Sequence, residues 1–262
     1  MHADPERVKK TFQKFRILIV GRANAGKTSI LQRVCATTDR PEIYNAQGER
    51  VRYSWETSPS ILLISYVQIG LNLVEGNPNF IFHDSCGFEA GSKDEFNKMK
   101  DFVLDRATTS HLNKRIHAIW YCISATDYNR PILAAEKKFF QECDTKKVPV
   151  LLLLTKIDTL VSIAYNELKN EGCPRETAGE LKNERAPQML ERLQVQIKSE
   201  LGKTQFPPTN YVQLVNMHKK SAKCGPLLEV TATALDEETL QLLLVSTQET
   251  NLHLCIEWAV KM

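Results

Sequence analysis

The sequence predicts an α/β protein, a three-layer sandwich in which helices flank a mostly parallel six-stranded sheet. Three observations lead to this fold class. Residues 15–20 are an almost unbroken apolar run, which is typical of a strand buried on both faces of a parallel sheet. Similar runs recur at 116–124 and 148–154, and segments with helical spacing of apolar residues separate the strands. At 262 residues, the chain has the length of one such domain with an insertion.

Composition and charge narrow the classes of function. The net charge of +3 is too small to indicate a nucleic-acid or membrane partner. The seven cysteines lack C-x-x-C spacing and several lie in apolar runs, which predicts buried, reduced thiols in a cytoplasmic protein. No apolar run is long enough for a transmembrane segment. We therefore expect a polar N-terminal extension at 1–14 and a single domain at 15–262.

The first strand leads directly into GRANAGKT, residues 21–28, which fits the phosphate-binding pattern G-x-x-x-x-G-K-[ST]. Gly21 and Gly26 permit backbone angles that a β-carbon would forbid, so successive N–H groups can point at phosphate oxygens beside the start of the next helix. Lys27 is expected to reach the β- and γ-phosphates, and Thr28 to take one place on Mg²⁺. The predicted nucleotide contacts here are Gly21, Arg22, Ala23, Asn24, Ala25, Gly26, Lys27, Thr28 and Ser29.

The next segments are predicted to complete the phosphate and metal site. Residues 37–60 are polar and rich in turns, and a threonine there is expected to bind Mg²⁺; of Thr37, Thr38 and Thr57, the spacing favours Thr57. Alternating polar and apolar residues at 67–74 predict a second strand, at the sheet edge. A third strand at 80–82 leads into HDSCG, where Asp84 is expected to hold Mg²⁺ through water and the Gly87 N–H to meet the γ-phosphate.

A motif that is expected to select the base of the nucleotide follows the fifth predicted strand. Helical patterns at 94–109 and 132–143 flank the fourth strand at 116–124, and the fifth ends in TKID, residues 155–158, which fits N/T-K-x-D. Guanine offers donors at N1 and N2 that one carboxylate accepts together, and adenine lacks this pair, so Asp158 is expected to select the base. Thr155, Lys156 and Asp158 are the predicted contacts, with the Lys156 stem along the purine ring.

The C-terminal third carries a longer connection and one open question. The distance from Asp158 to a sixth strand at 210–216 predicts an extra helical segment around 162–206, whose apolar stripe favours packing on the sheet over binding a partner. The last guanine contact is left to three segments, 216–218, 221–223 and 231–233. Geometry favours the first, which contains Met217, whereas Thr231 and its neighbours are expected to cap the last helix.

With these motifs in this order, the chain resembles the fungal G-domain-containing proteins, which are P-loop GTPases of the TRAFAC class. The likeness covers nearly the whole chain and is densest at 77–92, 117–143 and 246–260. It implies a six-stranded, mostly parallel sheet and binding of GTP or GDP with Mg²⁺. Two departures stand out. An Arg-Gly-x-His segment is usual in the family before the second strand, where this chain has SILLISY at 60–66, and an arginine is usual where Cys86 stands.

The motifs and the resemblance imply a slow, Mg²⁺-dependent GTPase that acts as a molecular switch, with Lys27, Thr28 and Gly87 carrying catalysis. Slow turnover is expected because Phe88 and Glu89 follow Gly87, and no glutamine stands there to orient the attacking water. The alternative is a non-catalytic GTP-binding module that uses nucleotide as a structural or dimerisation ligand. Asp158 argues against a metal-free ATPase or kinase.

The expected partners are a guanine nucleotide and either a second copy of the chain or a protein effector, without nucleic acid. Residues 60–66 leave three interpretations open: a buried extension of the second strand, an exposed contact patch, or residues introduced by a coding error or a retained intron.

Overall fold

The computed structural model describes residues 14–35, 42–44, 50–51, 67–70, 80–84, 93–111 and 114–247. Of the strands from 42 to 70 and of Asp84, Lys93, Glu95 and Ser246 it describes the backbone alone. These ranges contain eight strands that form a single sheet. The strands are β1 (Phe15–Gly21), β2 (Glu42–Tyr44), β3 (Arg50–Val51), β4 (Val67–Gly70), β5 (Phe80–Asp84), β6 (Ala118–Ser124), β7 (Val150–Thr155) and β8 (Asn210–Gln213).

The sheet has the spatial order β3-β2-β4-β5-β1-β6-β7-β8. Its five strands from β5 to β8 in this order are parallel, whereas β2, β3 and β4 pair antiparallel. The predicted α/β class with a mostly parallel sheet is therefore confirmed. The described sheet has eight strands and not the predicted six.

The difference in strand number has a local cause. β2 and β3 are only three and two residues long and lie in the polar, turn-rich tract, so neither shows a period of two in the sequence. β2 pairs antiparallel with β4, with Ile43 opposite Ile69, and β3 pairs with β2. The prediction that β4 stands at the sheet edge is therefore wrong, because β2 and β3 extend the sheet beyond it.

Seven helices in the described ranges cover the two faces of the sheet. They are α1 (Lys27–Val34), α2 (Lys93–Thr108), α3 (Ala134–Glu142), α4 (Leu160–Asn170), α5 (Arg175–Leu201), α6 (Gly225–Thr233) and α7 (Glu238–Ser246). Apolar residues of α1, α6 and α7 pack on one face, and those of α2, α3, α4 and α5 pack on the other. The three-layer arrangement follows from these two separate cores.

Strand β1 joins the two cores because successive side chains of a strand point to opposite faces. Ile17 and Ile19 belong to the core under α1, and Leu18 and Val20 belong to the core under α2. All four side chains are fully buried. Burial of each such side chain stabilises the fold by roughly 1.5–3 kcal/mol, so β1 contributes to both cores.

The long connection after β7 forms α4 and α5. The stripe of α5 that faces inward is buried against the sheet: Ala186, Met189, Leu193, Ile197 and Leu201. Leu181 is an exception, with 39% of its surface exposed. Burial of the stripe agrees with the interpretation of this helix as one packed on the sheet.

Thr231 has a different position from the one predicted. It lies inside α6, fully buried, where its hydroxyl donates to the Leu227 carbonyl (2.7 Å) and accepts from Trp120 Nε1 (3.2 Å). The last described helix, α7, begins after Glu237. The prediction that the 231–233 segment caps the last helix is wrong, because the apolar run before it forms a separate helix, α6.

Among the described residues no disulfide joins the cysteines, and four of them are buried. Burial raises the pKa of Cys35, Cys143 and Cys224 to about 12 in each case, so these thiols are protonated at neutral pH. Cys173 is only partly buried. No helix in the described part of the chain is both long and apolar enough to cross a membrane.

We expect iodoacetamide at pH 8 to alkylate Cys173 in the folded protein well before Cys35, Cys143 or Cys224. The thiolate is the reacting form, and a pKa of about 12 leaves roughly one thiol in ten thousand ionised at pH 8. Mass mapping of the labelled peptides measures this, with protein in denaturant as the control in which all react. Equal labelling of Cys35 and Cys173 in the folded state would contradict the buried positions.

Candidate functional site

The loop at residues 21–28 follows the carboxyl end of β1, the central strand of the sheet. Gly21 and Gly26 adopt φ angles of +147° and +84°, and Asn24 adopts +59°. L side chains rarely adopt such angles, so the loop is shaped by the two glycines that the motif places there. Gly26 is also the N-cap of α1, and no side chain caps this helix end.

Gly21 is required for a second reason, which is the packing of β1 against β6. The parallel register places Gly21 beside Cys122, and a β-carbon on Gly21 would lie 2.5 Å from the Cys122 carbonyl oxygen. Real β-carbons essentially never come that close. The loop therefore begins at a residue where the close approach of β6 leaves no room for a side chain.

The side chain of Lys27, the first residue of α1, folds back over the loop. Its ammonium donates hydrogen bonds to the carbonyl oxygens of Gly21 (2.8 Å) and Arg22 (3.1 Å), and the residue is 8% exposed. The first N–H groups of α1 have no partner within their own helix, and together with the helix dipole they favour an anion at this end. Thr28, at the first turn of α1, is exposed. The N–H groups at the start of α1 and the Lys27 ammonium together suit the binding of a phosphate group.

Thr155, the first residue of TKID, is bonded to this loop. Its hydroxyl donates to the Ala25 carbonyl oxygen at 2.8 Å, and Thr155 is buried. The parallel strands β1 and β7 end at the same edge of the sheet, which brings together residues 130 positions apart in the sequence. Lys156 follows with a φ of +55° and turns the chain out of the strand.

Asp158 faces the loop after β8. One of its carboxylate oxygens accepts a hydrogen bond from the Asn216 N–H (2.8 Å), and the other lies 3.9 Å from Nδ1 of His218. About a quarter of the Asp158 side chain is exposed, so the side chain is in contact with solvent. Of the three segments considered for the last guanine contact, the structure brings the 216–218 loop, with Met217, beside Asp158.

Arg22 makes contacts that the sequence did not indicate. Its guanidinium donates from Nε to Glu136 (2.7 Å), from Nη1 to Asp127 (2.8 Å) and from Nη2 to the Pro131 carbonyl (2.9 Å). Burial lowers the pKa of Arg22, but the hydrogen bonds and charges of Glu136 and Asp127 outweigh burial and raise it. The side chain is thus charged and turned toward the segment after β6. Its partners lie 105 to 114 positions away, and no local pattern marks them.

The remaining predicted residues are placed only in part. Asp84 ends β5, and the register pairs its Cα with that of Ile19 in β1, so its backbone lies at the same sheet edge as the loop. Thr37, Thr38, Thr57, Cys86, Gly87 and residues 60–66 lie outside the described residues. Asp84 and Thr57 as metal ligands and Gly87 at the γ-phosphate stay predictions. The three interpretations of residues 60–66 stay open.

Comparisons with known proteins gave the following findings. No protein-family model matches the chain, and no curated protein matches it. Among solved structures, it is similar to the ADP-ribosylation factor-like GTP-binding protein, small COPII coat GTPase SAR1, from Encephalitozoon cuniculi in complex with GDP. The identity is 19% over 95% of this chain and 87% of that one, with a TM-score of 0.42.

Two further structures show similarity at the same level. A single-residue variant of Era from Aquifex aeolicus, bound to GDP·AlF₄⁻, is 17% identical over 85% of this chain and 57% of its own, with a TM-score of 0.42. The FeoB G-domain from Methanococcus jannaschii is 13% identical over 86% of this chain and 99% of its own, with a TM-score of 0.40. Similarity this distant carries no conclusion about what the chain binds.

Substituting Gly21→Ala should lower the free energy of unfolding by roughly 2–5 kcal/mol, because the new β-carbon meets the Cys122 carbonyl and the φ of +147° becomes strained. Urea denaturation measures the change. Gly172→Ala is the matched control, since Gly172 has a φ of +87° but nothing within 4 Å of its β-carbon position. A loss at Gly21 no larger than that at Gly172 would contradict the close approach of β1 and β6.

Proposed function

We propose that the chain is a GTP-binding protein with a P-loop G domain, and that it is a slow Mg²⁺-dependent GTPase acting as a molecular switch. The main support is the hydrogen bond from the Thr155 hydroxyl to the Ala25 carbonyl. This bond joins the loop at 21–28, which is proposed to bind phosphate, to the turn that carries Asp158. The phosphate-binding loop and the base-selecting carboxylate are therefore parts of one site.

Each part of the site has a chemical role in this proposal. The N–H groups of the loop, the start of α1 and the Lys27 ammonium bind the phosphates. Asp158 accepts the N1 and N2 donors of guanine, which adenine does not offer, and the 216–218 loop closes this end. Lys156 supplies an aliphatic stem for the purine ring. Asp158 therefore decides which nucleotide is bound.

Metal and switch residues complete the proposal. Bound Mg²⁺ neutralises charge on the β- and γ-phosphates. Thr28 fits this role, because it is an exposed residue at the first turn of the helix that begins with Lys27. Asp84, Thr57 and Gly87 are proposed for the same region, as the order of motifs in the sequence suggests. Contacts to the γ-phosphate would order these segments, and hydrolysis would release them.

The extent of the domain and its partners belong to the proposal as well. We place the G domain at 15–262, with the extra helical segment around 162–206 and the polar extension at 1–14. The expected partner is a second copy or a protein effector, without nucleic acid, in the cytoplasm. These points stay predictions.

Base selection gives the first test. Asp158→Ala should weaken GDP binding by about 2–5 kcal/mol, because two donors lose a charged acceptor. Asp158→Asn should move preference from GDP toward xanthosine diphosphate, because xanthine presents a carbonyl where guanine presents an amino group and an amide can donate to it. Titration calorimetry of GDP, XDP and ADP with the full chain measures both effects.

Asp144→Asn is the control for this series, since Asp144 is a solvent-facing carboxylate in the turn before β7, at the other edge of the sheet. It should leave GDP affinity unchanged. Lys27→Ala should weaken GDP and ADP alike, because it acts on the phosphates. Equal affinity of the parent for ADP and GDP would contradict the guanine assignment.

Intrinsic hydrolysis should be slow, at about 10⁻⁴ to 10⁻³ s⁻¹. No glutamine follows Gly87, and the Arg22 guanidinium is held by three other acceptors, so it does not stabilise charge on the phosphates. Single-turnover phosphate release from bound GTP, at low and high protein concentration, measures the rate. Fast multiple turnover by dilute protein would refute this expectation, and no release above the EDTA control would favour the non-catalytic alternative.

A further inference from the structure

The side chain of Arg22 is held at all three of its nitrogen positions. Nε, Nη1 and Nη2 donate at 2.7, 2.8 and 2.9 Å to Glu136, Asp127 and the Pro131 carbonyl. Only 12% of the side chain is exposed. A planar guanidinium donates from three separate nitrogens in fixed directions, and the single nitrogen of a lysine ammonium on a flexible stem cannot reproduce that geometry. The position of Arg22 is therefore determined by the segment from Asp127 to Glu136.

The backbone of the same residue supports the loop from within. The Arg22 carbonyl accepts hydrogen bonds from the Lys27 ammonium (3.1 Å) and from the Ala25 N–H (3.2 Å). Ala25 is in turn bonded through its carbonyl to Thr155. Any shift of Arg22 would therefore move the ammonium and the amide groups on which phosphate binding depends.

Glu136 makes this anchor rigid. Its side chain is 2% exposed, and while one oxygen accepts from Arg22, the other accepts from the Leu133 N–H at 2.7 Å. The carboxylate thus caps the start of α3 and binds the loop at the same time. Removing the Arg22 charge would leave the buried Glu136 carboxylate without its ion-pair partner, which is strongly unfavourable.

The network continues to the protein surface. Asp127, at the outer end, has 46% of its side chain exposed. It belongs to the short 3₁₀ turn Ala125–Asp127, which directly follows β6. The anchor of the loop therefore extends from a buried carboxylate in α3 to a carboxylate in contact with solvent.

We propose that Arg22 is a positioning residue that holds the loop at 21–28 in its nucleotide-binding shape, so that the segment from Asp127 to Glu136 sets the affinity for the nucleotide. This inference rests on the proposed function, because it concerns the same site. Arg22 does not touch the phosphates with its guanidinium. It acts through the backbone, on Lys27 and on the loop amides.

The test compares Arg22→Lys, Asp127→Asn and the parent in the full chain. Calorimetric titration with GDP and with ADP gives two affinities for each protein, and thermal unfolding without nucleotide gives the stability. Arg22→Lys should raise the Kd for GDP roughly 10–100-fold, as expected when a supporting group that orients a site is lost. Asp127→Asn should raise it at least about threefold, because one of three anchors is weakened.

The ratio of the GDP and ADP affinities distinguishes positioning of the loop from damage to the base site. It should stay unchanged in both variants, since Asp158 is untouched and the phosphate end is common to the two nucleotides. A general loss of stability would not by itself raise the Kd of the folded protein. A change in the ratio would contradict an effect confined to the phosphate end.

Arg115→Lys is the matched control. Arg115 donates to Glu237 at 2.7 Å, and 17% of its side chain is exposed, so the pair resembles that of Arg22 and Glu136 in length and in the burial of the arginine. Arg115 lies just before the amino end of β6, whereas the loop lies at the carboxyl ends of the parallel strands. The substitution should leave both affinities within twofold of the parent. An increase in Kd equal to that of Arg22→Lys would overturn the proposal.

The remaining outcomes separate the two claims. If the parent binds GDP and a folded Arg22→Lys binds it within twofold of the parent, Arg22 does not position the loop, and the proposed function stands. If the parent does not bind GDP, the proposed function fails, and the role of Arg22 fails with it. If Arg22→Lys shows no cooperative unfolding transition, it is not folded and its affinity is not interpretable. The test then rests on Asp127→Asn, and a Kd for GDP equal to that of the parent in this variant overturns the proposal.

Discussion

The hydrogen bond between the Thr155 hydroxyl and the Ala25 carbonyl holds the two ends of the candidate site together. It forms because β1 and β7 are parallel and end at the same edge of the sheet, with β6 between them. Thr155 is buried, so the bond is shielded from water, and leaving its partners unpaired would cost about 1–3 kcal/mol. This contact connects the loop to the turn that carries Lys156 and Asp158.

Around that bond, close packing and charge restrict the loop in two different ways. At Gly21 the backbones of β1 and β6 leave no room for a β-carbon. At Arg22 a partly buried ion network connects the loop to α3. Buried ion pairs contribute little net stability but tolerate few alternative arrangements, because a misplaced charge in the interior is costly. The loop is thus fixed at its start by sterics and by electrostatics together.

The rest of the fold supplies a rigid frame for this edge. Side chains of β1 alternate between two apolar cores, and helices close both faces. The residues of the candidate site lie at strand ends and in the turns that follow them, where backbone N–H groups and side chains are outside the sheet ladder. In an open parallel sheet, ligands bind outside the carboxyl ends of the strands, and the Thr155, Asp158 and Asn216 positions agree with this rule.

Sequence by itself determined the features that depend on neighbouring residues. The apolar run of β1, the glycines and Lys27 of the loop, and the placement of TKID after a buried strand are local patterns. They predict the fold class and the loop without any knowledge of tertiary contacts. They could do so because strand and helix periodicities and glycine backbone angles are properties of short segments.

Only the tertiary structure decided which distant residues meet. It chose the Asn216 loop as the neighbour of Asp158, gave Arg22 its three partners, added β2 and β3 beyond β4, and placed Thr231 inside α6. None of these follows from a local period, because each depends on strand order, on register and on helices that pack from far along the chain. A single arginine in a glycine loop looks the same in sequence whether it faces a phosphate or a carboxylate, and the fold decides between them.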